Sequence, residues 1–141
     1  MDPGYRKILV VDNAAFIRMV VRLRLQAAGV PPKNIFEAAN GQDAYELIEK
    51  EGIKNILSDY EMDVLDGISL AAKLLVTEKR RDLRFVLFSG TPMEKVLSAM
   101  DAAEVQIPVI TKTKIRESWN DTMILPSYFP ELVHSLHQYA P

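Results

Sequence analysis

The sequence predicts an α/β fold: a doubly wound, five-stranded parallel sheet with helices on both faces. Three observations predict it. Short apolar runs alternate with longer amphipathic stretches, and the alternation recurs five times along 141 residues. The clearest runs, Ile8-Leu9-Val10-Val11 and Phe85-Val86-Leu87-Phe88, are apolar on both parities, as strands buried on both faces must be. Strands alternating with helices build βα units and a parallel sheet, and right-handed crossovers then distribute the helices over both faces.

Each element has its own signal. Residues 8–11 form the first strand. Residues 14–28 carry Phe16, Ile17, Val20, Val21, Leu23 and Leu25 with Arg18, Arg22 and Arg24 between them, an amphipathic helix in which the arginines spread around the circumference. Gly29 ends it and Pro31-Pro32 forbid its continuation. A short strand follows at 34–38, then a helix at 41–50 with Ala44, Leu47 and Ile48 on one side. Residues 55–58 read as a strand, 67–78 as a helix and 85–88 as a buried strand. Pro92 suits the first turn of a helix running to about 103. The last strand is expected at 107–111 and the final helix at 130–139. The stretch 113–129 has no clear period and exceeds the usual connection length, so one domain over 1–141 is expected to carry an extended segment before its last helix.

Composition narrows the function. With 17 Lys plus Arg against 19 Asp plus Glu, the net charge of −2 supplies no field for broad nucleic-acid or anionic-membrane binding. The absence of cysteine excludes a disulfide scaffold, a thiolate zinc site and a cysteine nucleophile. The first apolar run is too short for a signal peptide or a membrane span, so a cytoplasmic protein is expected.

In an open parallel sheet, ligands bind beyond the carboxyl ends of the strands. The first run ends in Asp12-Asn13, the third in Ser58-Asp59, the fourth in Ser89-Gly90-Thr91 and the fifth in Thr111-Lys112. Two carboxylates, a hydroxyl and an ammonium are therefore expected to converge. Asp12 and Asp59 make an anionic oxygen site suited to Mg²⁺, and a metal lets a carboxylate approach a phosphoryl group without like-charge repulsion. Asp59 could then act as nucleophile, with Ser89 and Lys112 binding phosphoryl oxygens.

These pieces resemble the receiver domain of bacterial two-component response regulators, most closely the stand-alone chemotaxis (CheY-like) type. The resemblance covers residues 6 to about 113. Its most specific element is Ser58-Asp59-Tyr60-Glu61-Met62 followed by Asp66-Gly67, flanked by Ile8–Asp12, Val86–Gly90 and Lys112. It implies a flavodoxin-like strand order 2-1-3-4-5. It implies that Asp59 accepts a phosphoryl group from a histidine kinase or phosphotransfer protein in a Mg²⁺-dependent reaction. Asp12, Asn13, Asp59 and the backbone carbonyl of Glu61 would hold the metal, Ser89 would supply the switch hydroxyl, and Lys112 would bind the phosphoryl group. Such a chain is a signalling module, not an enzyme beyond its own phosphorylation and dephosphorylation. It would act through a downstream protein target, with no nucleic-acid or membrane partner.

Five departures bear on that expectation. Asn13 stands where the family usually has a second acid; an amide ligates without charge, and one charge pair at 4 Å is worth about 4 kcal/mol at an effective dielectric of 20, before desolvation. Thr113 follows Lys112 where the family usually has proline; a trans bond is expected, with Lys112 pointing differently and Lys114 a poorer substitute. Val109 stands where a switch aromatic is common, Asp63 stands where proline is common, and the 113–129 segment delays the last helix. These motivate an alternative, a degenerate receiver acting as a phosphorylation-independent docking module. A phosphohydrolase or flavin protein fits worse, because Asn13-Ala14-Ala15-Phe16 offers no phosphate nest and no cap domain is present.

The remaining signals have plainer readings. Asp12 or Asn13 could cap the first helix, and Ser89 or Thr91 the helix at Pro92. His134 and His137 lack a third ligand nearby and read as surface residues. Met19, Met93 and Met100 read as core or rim packing, and Trp119 as packing the 113–129 segment down. The Lys79-Arg80-Arg81 run reads as a solvated connection.

Overall fold

The computed structural model describes residues 2–118 and 120–138, so the expectation for Trp119 lies outside the described residues. Five strands form one parallel sheet in the order β2-β1-β3-β4-β5: β1 Ile8–Val11, β2 Ile35–Ala38, β3 Asn55–Ser58, β4 Arg84–Ser89 and β5 Val109–Thr111. The helices are α1 Ala15–Ala27, α2 Gly41–Glu51, α3 Gly67–Ala71, α4 Met93–Ala102, α5 Lys112–Glu117 and α6 Pro130–Gln138. The α3 helix continues as a π-helical turn over Ala72–Thr77.

The two-residue period of a strand sorts the apolar residues into two cores. Leu9, Val11, Ile56, Phe85 and Leu87 face one side, where α2, α3 and α4 contribute Ala44, Ile48, Leu70, Leu74 and Val96. Ile8, Val10, Leu57, Val86 and Phe88 face the other, closed by Val21 and Leu25 of α1, Ile115 of α5 and Leu132 of α6. This is why β1 and β3 are buried at every position and why neither reads as alternating.

The segment 113–129 differs from its expectation. Its first residues belong to α5, which begins at Lys112 and is capped by the Thr111 side chain accepting the Lys114 N–H at 3.0 Å. Six residues make fewer than two turns, too few for a 3.6-residue period to show. Beyond α5, Leu125 and Phe129 are fully packed into the second core, flanking a 3₁₀ turn at Pro126–Tyr128. Truncating a buried Phe typically costs about 3–5 kcal/mol, so Phe129 anchors the delayed last helix to the sheet. The last strand starts at Val109, two residues later than expected, because Pro108 has no N–H to give to the ladder; its carbonyl still accepts from Leu87 at 2.9 Å.

The register sets the site. Val11 lies beside both Ala38 and Ser58, Ser58 beside Leu87, and Ser89 beside Thr111. The residues that leave these strands therefore emerge along one edge.

Candidate functional site

Asp12 leaves β1 with its N–H still bonded to the Ala38 carbonyl at 3.1 Å. Its side chain is buried, at 1% exposure for the residue. One carboxylate oxygen, Oδ1, accepts the Ala14 N–H at 2.8 Å, and the other lies 3.4 Å from the Lys112 ammonium. Capping thus falls to Asp12: Asn13 is exposed, and α1 has no side-chain bond from its own N-cap residue, Ala14.

Asp59 leaves β3 in the same way, its N–H donating to the Val11 carbonyl at 2.8 Å. Its Oδ1 accepts the Tyr60 N–H at 2.9 Å and stands 3.6 Å from Lys112 Nζ. Burial pushes the Asp59 carboxyl above its ordinary range; the Lys112 charge opposes this, the Asp12 charge adds to it, and the Tyr60 N–H opposes it. Lys112 opens α5 through an ordinary trans peptide, since no cis bond occurs among the described residues. Thr113 does not divert it: its ammonium reaches both carboxylates and lies 5.5 Å from the Phe88 ring centroid.

Ser89 ends β4 at 1% exposure, its Oγ accepting the Thr91 N–H at 2.9 Å. Neither Ser89 nor Thr91 caps α4, whose N-cap position is Pro92. The Thr91 hydroxyl donates instead to Glu61 Oε2 at 2.8 Å, linking the loop after β4 to the loop after β3. Between the loops after β1 and β3 opens a cleft of about 360 Å³ lined by Asn13, Tyr60, Glu61, Met62, Asp63 and Asp66.

The loop after β3 is held by two further features. Gly67 donates its N–H to the Tyr60 carbonyl at 2.8 Å, and a Cβ there would sit 2.0 Å from the Asp59 carbonyl oxygen, so this position excludes every side chain. Val64 adopts φ 71° with 80% of its surface exposed, a left-handed conformation that is costly for a β-branched residue.

The structure brings Asp12, Asp59 and Lys112 together, buries Ser89 at the same edge and places Asn13 and Glu61 on the cleft. Among the described residues no group of three or more His, Cys, Asp or Glu side chains stands close enough to hold a metal ion. Met100 is buried as expected for core packing, but Met19 and Met93 are exposed on α1 and α4 and do not pack into the core. Sequence reasoning missed three residues here: Gly67 as a steric necessity, Thr91 as the partner of Glu61, and Arg18. Arg18 and Arg22 do not spread around α1; four residues apart, they turn to one side and share Glu37 of β2, at 3.2 and 2.7 Å.

The donor set at this edge is all oxygen: two carboxylates, one amide and backbone carbonyls. Mg²⁺ ordinarily takes one or two carboxylates and keeps several waters, so the absence of a third acid in the group is compatible with it. Burial is the main cause of the raised Asp59 carboxyl and the Asp12 charge adds to it; a bound cation would oppose both.

Comparison with known proteins agrees with this geometry. The sequence pattern of the response regulator receiver domain matches residues 8–117, and the chain belongs to that family. A protein-glutamate methylesterase/protein-glutamine glutaminase of Pseudoalteromonas atlantica is 30% identical over 99 residues, covering 70% of this chain and 25% of the relative. A chemotaxis protein CheY homolog of Campylobacter jejuni is 28% identical over 82 residues, covering 57% of this chain and 62% of the relative. The chain thus spans a quarter to under two thirds of the length of these relatives. The receiver domain of a signal transduction histidine kinase from Syntrophus aciditrophicus superposes with a TM-score of 0.72 at 18% identity, covering 95% of this chain and 94% of that one. Vibrio cholerae CheY4 gives 0.64 at 20% identity, covering 82% and 97%; both show the shared fold.

Receiver domains are signalling modules of two-component systems. They generally bind Mg²⁺ at the acidic phosphorylation site and interact with histidine kinases and downstream effectors. Among the described residues no helix is long and apolar enough to cross a membrane.

Proposed function

We propose that this chain is a single-domain response regulator that takes a phosphoryl group on Asp59 and signals by binding another protein. The observation that carries this reading is one ammonium, Lys112, shared at 3.4 and 3.6 Å by Asp12 and Asp59 at the carboxyl edge of the sheet. Both sheet faces are covered by helices drawn from residues 15–138, which supports treating the chain as one domain. We place its action in the cytoplasm, away from nucleic acid and membrane.

In the transfer, an Asp59 carboxylate oxygen attacks phosphorus. The P–O bond to Asp59 forms as the P–N bond to the donor histidine breaks, and the imidazole leaves with the bonding pair. Lys112 neutralises a phosphoryl oxygen, and the Ser89 hydroxyl donates to another after releasing the Thr91 N–H. Asp12, Asn13, Asp59 and the Glu61 carbonyl would hold Mg²⁺. The ion would supply charge neutralisation between the carboxylates and the incoming phosphoryl group.

The test is intact-protein mass after incubation with a small acyl phosphate and Mg²⁺, followed by borohydride reduction and peptide mapping. One phosphoryl group, with homoserine recovered at position 59 and no gain in Asp59→Asn, is the expected result. A folded protein that gains nothing contradicts it and favours a degenerate receiver that docks without phosphorylation. The exposed, uncharged Asn13 is the observation behind that second reading. Asn13→Asp then discriminates: restored phosphorylation assigns the loss to the missing charge.

A further inference from the structure

We infer that Arg18 is a positioning residue for the metal-binding loop, clamping the Asp12–Asn13 peptide from behind. The inference rests on the phosphoacceptor reading above for its purpose, but its geometry stands independently.

Arg18 Nη1 donates to the Asp12 carbonyl oxygen at 2.6 Å. That carbonyl belongs to the peptide joining the two side chains assigned to the metal, so its orientation fixes where the Asn13 amide starts. The same loop is tied at two further points: Asp12 N–H to the Ala38 carbonyl at 3.1 Å, and Ala14 N–H to Asp12 Oδ1 at 2.8 Å. With Arg18 in place, the Asp12 N–H, carbonyl and carboxylate are all engaged.

Arg18 is itself held. Its Nε pairs with Glu37 Oε1 at 3.2 Å, and Glu37 lies in β2 beside Val10, two residues before Asp12. The rigid fork of a guanidinium lets one nitrogen bind Glu37 while another binds the carbonyl; a lysine has no such fork. Arg22 supplies a built-in comparison. It pairs with Glu37 Oε2 at 2.7 Å and donates to the Ile35 carbonyl at 2.9 Å, so it braces the same α1–β2 contact. Its bonds go to Glu37, Pro32 and Ile35, away from the Asp12 loop. A brace and a positioner thus sit one helical turn apart on the same carboxylate.

Placement by Arg18 matters more in this chain because Asn13 brings no charge. A neutral ligand gains less from Coulomb attraction, so its contribution depends on being correctly placed beforehand. Partners that orient metal ligands without touching the metal typically contribute about 10–100-fold in affinity.

The experiment measures Mg²⁺ affinity of the unphosphorylated protein by amide NMR titration, together with hydrogen exchange at the Ala14 amide without metal. The set is wild type, Arg18→Lys, Arg18→Met and Arg22→Lys. Both Arg18 variants should bind Mg²⁺ about tenfold more weakly and exchange the Ala14 amide faster. Arg22→Lys should lose comparable thermal stability while leaving both readouts unchanged. Equal changes in the Arg18 and Arg22 variants, or none in either, would overturn the inference and leave Arg18 a brace. A gain in affinity in Arg18→Met would also overturn it, because charge repulsion would then dominate over placement. If wild type binds no Mg²⁺, the metal assignment fails separately, and Ala14 exchange alone decides the positioning role.

Discussion

The two edges of the sheet use charge in opposite ways. At the amino edge Asp2, Glu49, Asp82 and Glu131 each meet a close cation. Lys54 bridges Asp2 at 2.6 Å and Asp82 at 3.6 Å, Arg80 joins Asp82 at 3.0 Å and Glu49 at 2.8 Å, and Arg84 holds Glu131 at 3.1 Å. The Tyr5 ring lies under both Lys54 and Arg84, and its hydroxyl donates to the Asp82 carbonyl at 2.6 Å. The bond to Lys54 holds the Asp2 carboxyl below its ordinary range, and the bond to Arg80 does the same for Asp82. At the carboxyl edge two buried acids share one ammonium at longer range, and Asp59 is displaced upward. The amino-edge pairs serve stability, tying the N-terminal turn and α6 to the strands. The carboxyl edge is short of positive charge, which is the condition for taking up a cation and then a phosphoryl group.

Removing a cation from each edge should break this comparison most visibly. Lys112→Met leaves Asp12 and Asp59 without their shared partner and should cost about 2 kcal/mol in metal-free urea denaturation, with Mg²⁺ restoring much of it. Arg84→Met removes a half-exposed pair and should cost about 1 kcal/mol or less, unaffected by Mg²⁺. Equal Mg²⁺ responses would erase the distinction.

Glycines at the two edges give the next contrast. Gly67→Ala drives a methyl group into the Asp59 carbonyl and should cost about 1–3 kcal/mol. It should also slow phosphorylation of Asp59 at least about tenfold, because the nucleophile is displaced. Gly52→Ala meets open space and bears only the strain of φ 64°, about 1 kcal/mol, with phosphorylation unchanged.

Much of this arrangement was legible in the sequence, for a physical reason. Strands buried on both faces are mostly apolar, so the polar residues at or just after the end of each run mark the carboxyl edge. Asp12, Asp59, Ser89 and Lys112 could be found this way because the parallel topology sends all four ends to one side. Contacts between elements leave no such trace. Gly67 is required by the backbone of Asp59, Thr91 by Glu61, and Arg18 by Glu37 and the Asp12 carbonyl, each from a different element. The α5 helix escaped because it is short, and Arg80 looked solvated although Asp82 is two residues on, because its other acid, Glu49, lies on α2.

The raised Asp59 carboxyl predicts a pH dependence of definite sign. Its folded value lies above the unfolded one, so the native state holds the proton more tightly and loses stability as pH rises through that window. Asp59→Asn should therefore be more stable than wild type at neutral pH, with the gain vanishing below both values. Asp2 and Asp82 have the opposite sign: their contribution is present above the unfolded value and lost as pH falls through the folded one, and is small at such exposed positions. Thermal melts from pH 3 to 8 on wild type and Asp59→Asn would show it. The smallest effect concerns strain: Val64→Asn accepts the left-handed backbone more readily and should stabilise the loop by about 1 kcal/mol or less in the same melts.

The most direct test of the contrast between the edges is a carboxyl-carbon NMR titration of Asp2, Asp59 and Asp82, with and without Mg²⁺. Asp59 should titrate above the ordinary aspartate range and Asp2 and Asp82 below it. Mg²⁺ should lower Asp59 alone. If Asp59 titrates with or below the other two and Mg²⁺ moves none of them, the carboxyl edge has no unmet charge, and the account of it as a phosphoacceptor site is contradicted.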